Sequence, residues 1–332
     1  MPLEPSCLSG KSYAGLPSQR KNNSWFETNL RLVLATLAVG NGGSDLSDFA
    51  AFLDLPQASS FGNRPFNRIE AIVGEHLRAV SDEAMKEAWE EETRLTLEAM
   101  GESYFLWKNK RKKDRKNVKL TVSFDMGWQK RSSGNRYDSL SGHAFMIGAR
   151  SRKILMCIVS SKMCATCLEG EDLQVNAKPH SCPRNYSGSS KAMEADAALE
   201  AYEELYEMSQ GTTTIGWIIA DDDSSMRSLL RHPTIHHPKG ALPERLPEPQ
   251  WLADPTHRTK CMAKPFFALV ALGKTSTQCT RVDAFRIKQW WGYMIKYYRK
   301  YPIETVRKAA KAVVEHLFND HRFCDIKWCK PL

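Results

Sequence analysis

Three groups of side chains in this sequence could do chemistry with a cation. The first is acidic: Asp125, and the run Asp221-Asp222-Asp223, each close behind a stretch that reads as a β-strand. Two carboxylates at strand ends, joined by a third acid from a helix, can bind two Mg2+ or Mn2+ ions. One ion then activates a water or a 3′-hydroxyl, and the other stabilises the leaving oxygen of a phosphoryl transfer. Asp221, directly after its strand, is preferred as the second ligand, with Asp223 a substitute. Asp283 is preferred as the third acid, because a helix start can face a strand-end site; Glu304 comes second, and Glu315 lies on the same later helix.

The other two groups are soft donors. Cys164-x-x-Cys167 followed by His180-x-Cys182 has the ligand types and pairing of a tetrahedral structural zinc site, and would pin a long insertion. The closing HLFNDHRFCDIKWC offers His316, His321, Cys324 and Cys329, a second compact four-ligand set. His257 and Cys261 form an incomplete pair and read as a satisfied histidine and an inert thiol. The nine cysteines are too few and too unevenly spread for a disulfide scaffold.

The elements that must position these groups follow from periodicity. Val118, Leu120, Val122 and Phe124 alternate with Lys119, Thr121, Ser123 and Asp125, a half-buried strand that ends at Asp125. Strands are predicted from His143 (HAFMIGA) and Ile154 (ILMCIVSS), and a helix from Ser189 (SSKAMEADAALEAYEELYEMS). Ile215–Ala220 is a short apolar run, a buried central strand that delivers Asp221. Three strands, a helix and a buried strand is the order of a ribonuclease H-like mixed sheet, with Asp125 and Asp221 on neighbouring strands. Upstream, LRLVLATLAVG, SDLSDFAAFLDLP and a stretch from Phe66 to Leu97 read as helices. Pro-rich sequence from 232 to 255 reads as a surface loop, and three helices follow it.

The expected fold is therefore α+β (mixed α/β): a flexible arm (1–28), a helical region (29–107), and a ribonuclease H-like domain (108–332). That domain carries a zinc-binding insertion (about 161–188), a helical C-terminal part and a His/Cys cluster (316–329). The 332 residues include 42% hydrophobic and 26% charged side chains, a globular composition, and no apolar run spans a bilayer. There is no secretory signal, Walker loop, dinucleotide-binding glycine pattern or nucleophile elbow. Lys and Arg number 47 against 38 acids, a net charge of +9 that favours an anionic partner. The run KNKRKKDRKNVK is a solvated face, a nuclear-targeting signal or a phosphate contact. Its Lys110, Arg111, Lys112, Lys113 and Arg115, with Lys130 and Arg131, are the candidate backbone contacts to nucleic acid. Trp290, Trp291, Tyr293, Tyr297 and Tyr298, interleaved with Arg286, Lys288, Lys296, Arg299 and Lys300, either pack inward or stack on bases.

Together these motifs resemble the Mutator-like transposase domain of the DDE/ribonuclease H-like superfamily. VSFDMGWQKRSSG resembles its first-acid motif, SKMCATC with HSCPRNYSGSSKAME its zinc insertion, and IIADDDSS its second-acid segment. DPTHRTKCMAKP and HLFNDHRFCDIKWC also resemble the family, and the likeness runs from about Asn29 to Cys329. The resemblance implies a nuclear DNA transposase that nicks element ends and joins 3′-hydroxyls to target DNA, with Asp125, Asp221 and a third acid holding Mg2+ or Mn2+, and Zn2+ as structural metal. DNA is the implied partner, no membrane is expected, and homo-oligomer assembly stays open. The family uses two aspartates and a glutamate, so Asp283 is a departure, and the chain stops three residues after Cys329. Those two features motivate an alternative, a catalytically inactive, zinc-stabilised DNA-binding protein derived from such an element. A nuclease acting on RNA–DNA hybrids is the third option.

Overall fold

The computed structural model describes residues 21–22, 25–53, 63–130, 138–221, 224–231, 234–235, 244–272 and 279–324. The chain divides into two compact units, Met1–Ala84 and Met85–Leu332. In the first, α1 (Glu27–Ala38) and α2 (Gly43–Phe52) join the opening turns of α3 (Asn63–Ala99). Gly40, with φ +78°, takes the left-handed conformation that closes α1, which glycine adopts without steric cost. Val33, Leu46, Phe66, Ile69 and Val73 form this unit's core. Of the expected arm, residues 1–20 lie outside the described residues, whereas Lys21–Asn22 and Trp25–Phe26 pair as a short antiparallel ladder.

The second unit is built on a five-stranded mixed sheet. Its strands are β1 (Val118–Trp128), β2 (Ser141–Gly148), β3 (Ile154–Ser161), β4 (Thr213–Ala220) and β5 (Gln250–Ala253), in the order β3-β2-β1-β4-β5. β1 pairs antiparallel with β2 and parallel with β4; β2–β3 is antiparallel and β4–β5 parallel. After α4 (Tyr104–Asn109) the basic run enters β1; α5 (Ala165–Asp172) and α6 (Ser190–Met208) separate β3 from β4.

One face of β1, Val118, Leu120, Val122, Phe124 and Met126, is buried in the main core. Facing it are Ala197, Ala198, Ala201, Tyr202 and Leu205 of α6 and Trp89 and Leu97 from the end of α3. The small alanines let α6 come close to the sheet, and Tyr202 donates its hydroxyl to the Pro247 carbonyl (3.0 Å), tying α6 to the approach to β5. Glu92 of α3 is fully buried; its carboxylate accepts the backbone N–H groups of Arg150 (3.2 Å) and Ser151 (2.6 Å) in the β2–β3 turn.

Two expectations change here. β1 does not stop at Asp125 but continues to Trp128, because Met126 re-enters the core and the ladder to β2 pairs Asp125 with Phe145 and Trp128 with Gly142. The stretch expected to be loop contains β5, which hydrogen-bonds to the free edge of β4. Its residues are alternately exposed and partly buried, so little apolar pattern marks it.

α7 (Ser224–Leu229) follows β4, and a helical layer closes the unit: α8 (Pro255–Ala271), α9 (Arg281–Tyr298) and α10 (Ile303–Glu315). Ile287, Trp291, Met294 and Tyr298 of α9 pack against Ala309 and Val313 of α10. The aromatic helix packs Trp291 and Tyr298 inward, while Tyr293 and Tyr297 are exposed. No helix among the described residues is long and apolar enough to cross a membrane.

Candidate metal centres

The register between β1 and β4 decides where the acids fall. Leu120 pairs with Ile215, but Thr121 pairs with Trp217, so Gly216 is an extra residue, a β-bulge. A Cβ at Gly216 would sit 2.8 Å from the Lys119 Cβ, which is why glycine occupies it. Beyond the bulge Ser123 pairs with Ile219, so two residues further on Asp125 lies opposite Asp221. A regular ladder would set Ala220 there instead. On the other side of β4, Ala220 pairs with Ala253, which brings Asp254 level with Asp221. The backbone N–H of Asp254 donates to the Ala220 carbonyl (3.1 Å). Extending the register by one or two residues beyond the paired ladders therefore puts the three aspartates at about the same level, with Asp221 and Asp254 just past the ends of β4 and β5.

Their charges interact. The Asp125 carboxyl is raised above its usual range, first by desolvation and also by the neighbouring charges of Asp221 and Asp254. The Met126 N–H, which donates to its Oδ1 (2.9 Å), and Lys260 pull the other way. His257 Nδ1 lies 3.0 Å from Asp221 Oδ2, and Asp254 caps α8 by accepting from the N–H groups of Thr256 (3.1 Å) and His257 (2.9 Å). With Pro255 at its first position, α8 starts where Asp254 ends the strand, so one helix presents Asp254, His257 and Lys260. Oxygen donors of this kind suit a divalent cation, although among the described residues only the two cysteine–histidine groups bring three donors within 4.8 Å of one another.

Asp283 has a different neighbour. Its Oδ2 accepts from the Thr280 N–H (2.9 Å) and hydroxyl (2.6 Å), and its own N–H bonds Thr280 Oγ1 (3.2 Å), a reciprocal cap on α9. That cap holds its carboxyl below the usual range. Glu304 pairs with Arg307 (2.7 Å) on the surface of α10. Asp223 lies outside the described residues. Asp254 was missed because D-P after a Pro-rich stretch reads as a turn; a cap residue followed by proline at N1 was the available signal.

The cysteine–histidine insertion converges on one point. The Sγ atoms of Cys164, Cys167 and Cys182 and a ring nitrogen of His180 all lie within 4.8 Å of one another. Cys164 Sγ is 3.1 Å and Cys167 Sγ 3.6 Å from His180 Nε2, and Cys167 and Cys182 are 3.5 Å apart. Zn–S of about 2.3 Å and Zn–N of about 2.0 Å imply tetrahedral ligand edges of roughly 3.5 Å (N–S) and 3.8 Å (S–S), so the set has the size zinc needs. His180 Nδ1 contacts the Lys178 carbonyl (2.7 Å), which assigns the proton to Nδ1 and leaves Nε2 as donor to the metal.

Without metal, the Cys164 thiol is drawn down to about 6, chiefly by the Cys167 N–H at the start of α5, while Cys167 is pushed up to about 11, chiefly by Cys182. His180 rises to about 9, through the Lys178 carbonyl first and Cys164 next. Binding zinc would displace the thiol and imidazole protons of this cluster. At the base of the insertion Asn185 accepts from the Ser161 N–H (2.7 Å) and donates to the Val159 carbonyl (2.7 Å), stitching the chain to the edge strand β3.

His316, His321 and Cys324 also come together, their donor atoms within 4.8 Å of one another. Burial, then the neighbouring His321, lowers the His316 pKa. Cys329 lies outside the described residues. None of the seven described cysteines is in a disulfide. Cys261 is exposed on α8, and His257 is joined to an acid rather than to that cysteine.

The basic run is mostly surface. Lys110, Arg111, Lys112 and Lys113 are exposed, though Arg111 pairs with Asp114 (2.7 Å). Arg115 donates to the carbonyls of Lys108 and Lys110 and stacks on Trp107, so it braces the run. Lys130 pairs with Asp138 (2.6 Å), and Arg131 lies outside the described residues.

The chain is thus a mixed α+β protein built on a five-stranded sheet, with a cysteine–histidine cluster able to hold zinc. The family model described as Mutator-like transposase matches residues 7–329, and the chain belongs to that family. No curated protein and no solved structure matches it.

Proposed function

We propose that the protein is a metal-dependent DNA transposase whose Asp125, Asp221 and Asp254 hold the catalytic cations. The observation that carries this reading is the line of three aspartates across β1, β4 and β5 in a chain of a transposase family. The strand order, with α6 between β3 and β4, supports a ribonuclease H-like core. Asp254 replaces Asp283 as the third acid: both cap a helix, but only Asp254 acts electrostatically on Asp125 beside Asp221. When bound, Mg2+ or Mn2+ would supply activation of the attacking oxygen and stabilisation of the leaving one.

His257 donates to Asp221 and fixes its carboxylate orientation, and Lys260 supplies positive charge beside Asp125. The exposed Lys110, Lys112 and Lys113 offer nonspecific contact to the DNA backbone. The Cys164–Cys182 cluster holds structural Zn2+ and braces the insertion, and the nucleus is the expected compartment.

The test is cleavage and strand transfer with Mn2+ on duplexes carrying the ends of the element. Activity is expected in the wild type and lost in Asp125→Ala and Asp221→Ala. Salt-sensitive DNA binding with no cleavage under any divalent cation would instead favour the inactive DNA-binding reading.

A further inference from the structure

After α10 ends at Glu315, a single 3-10 turn (His316–Phe318) leads to Asn319 at φ 57°, ψ 27°. This left-handed conformation is one asparagine tolerates, and it turns the chain back on itself. The returning segment is held by the Asp320 N–H on the Glu315 carbonyl (3.2 Å), a two-point Arg322–Asp320 pair, and the Cys324 N–H on the His321 carbonyl (3.0 Å). The turn brings two imidazoles and a thiol to one place, with His316 Nδ1 3.3 Å from Cys324 Sγ. That is close to the roughly 3.5 Å edge of an N–S pair on zinc.

The second imidazole is oriented as well. His321 Nε2 contacts Asn319 Oδ1 (2.9 Å), which assigns the proton to Nε2 and leaves Nδ1 as the donor atom. His316 stands edge-on to His321 (centroids 4.6 Å) and to Trp290 of α9 (4.5 Å). A lone cysteine–histidine pair would serve a nucleophile, which has no use for a second imidazole. Two nitrogens and a sulfur instead match a borderline-soft divalent ion and not Mg2+.

We propose that His316, His321 and Cys324 form a second zinc site, with two imidazole nitrogens and one thiolate, that fastens the segment after α10 against Trp290 of α9. It shares no residue with the acids or with the Cys164–Cys182 cluster, and its failure would leave the reading of the acids intact. Three protein ligands leave one tetrahedral position for water or a further donor.

The experiment is elemental analysis of the full chain purified without chelator. Two zinc equivalents are expected, falling to one in Cys324→Ser and in His321→Ala, and to one through the other cluster in Cys167→Ser. With Co2+ in place of zinc, Cys324 is one of four cluster thiolates, so Cys324→Ser should remove about a quarter of the sulfur-to-metal charge-transfer absorption. Should the variants misfold, the wild type still decides: Cys324 should resist alkylation until a chelator is added, read by peptide mass spectrometry. One zinc per chain, unchanged by Cys324→Ser, or Cys324 alkylated equally fast before and after chelation, would overturn the site.

Discussion

Replacing Gly216 by alanine tests whether the bulge in β4 sets the acids in line. In an ordinary strand that change stabilises by about 0.5–1 kcal/mol, because glycine loses more backbone entropy on folding. Here the new Cβ would meet the Lys119 Cβ at 2.8 Å, against the 3.4–4 Å of ordinary contact, and a Cβ cannot swing away as a side-chain tip can. Separating the strands by that amount should cost about 1–3 kcal/mol, as overpacking does elsewhere. The alternative is a slip to a regular ladder. It would turn Ile218, 1% exposed, out of the core at a further cost of about 1.5–3 kcal/mol, and would set Ala220 opposite Asp125. Deleting Gly216 has the opposite logic: the ladder becomes regular and Asp221 stays opposite Asp125. Urea unfolding followed by tryptophan fluorescence should show the alanine midpoint falling by roughly 0.5–1 M. Mn2+ titration should show the deletion retaining the cation. An alanine variant more stable than wild type, together with a deletion variant that no longer binds Mn2+, would rule out this role for the bulge.

Glu92→Ala should cost about 3 kcal/mol in urea unfolding, since it strands two backbone N–H groups of the β2–β3 turn; a change under about 0.5 kcal/mol would contradict the anchoring role. Cys167→Ser, or a strong chelator, should release the insertion's zinc, lower the melting temperature and expose Cys164 and Cys182 to thiol reagents; unchanged reactivity would exclude a bound metal. In the absence of divalent cations Asp125→Asn should be the more stable protein at neutral pH. Asp125 has its folded pKa raised above the ordinary 3.8, so its ionised form carries a penalty that appears as pH rises through the folded pKa. The gain should shrink toward pH 4 and reverse with saturating Mn2+; equal midpoints at neutral pH would count against the crowding of the acids.

Much of the second unit was legible because its elements pack against one large core. The alternation of Val118 to Phe124, the continuous run at Ile215–Ala220 and the Ser189 cap each carry a local signal. The insertion was legible for a different reason: its ligand chemistry survives any uncertainty about backbone. What escaped the sequence depends on pairing. β5 has four residues with neither face deeply buried, so only its hydrogen bonds to β4 define it. The bulge is silent too, since IGWIIA reads the same whether or not Gly216 is skipped. Asp254 inherits both difficulties, because its place beside Asp221 follows from the register of a strand that the apolar pattern does not announce. Asp283 drew attention as a helix-start acid, and its local cap accounts for that position without a metal.

If Asp125, Asp221 and Asp254 share one divalent cation, removing any one of them must weaken that ion's binding. Mn2+ titration of the full chain, followed by electron paramagnetic resonance, reads this without a DNA substrate. Asp254→Asn keeps a competent helix cap while removing the charge, so a folded variant is available. Binding should weaken at least tenfold in Asp125→Asn, Asp221→Asn and Asp254→Asn, and remain at the wild-type level in Asp283→Ala. Full affinity in the first three, with loss in Asp283→Ala, would show that the cation sits elsewhere.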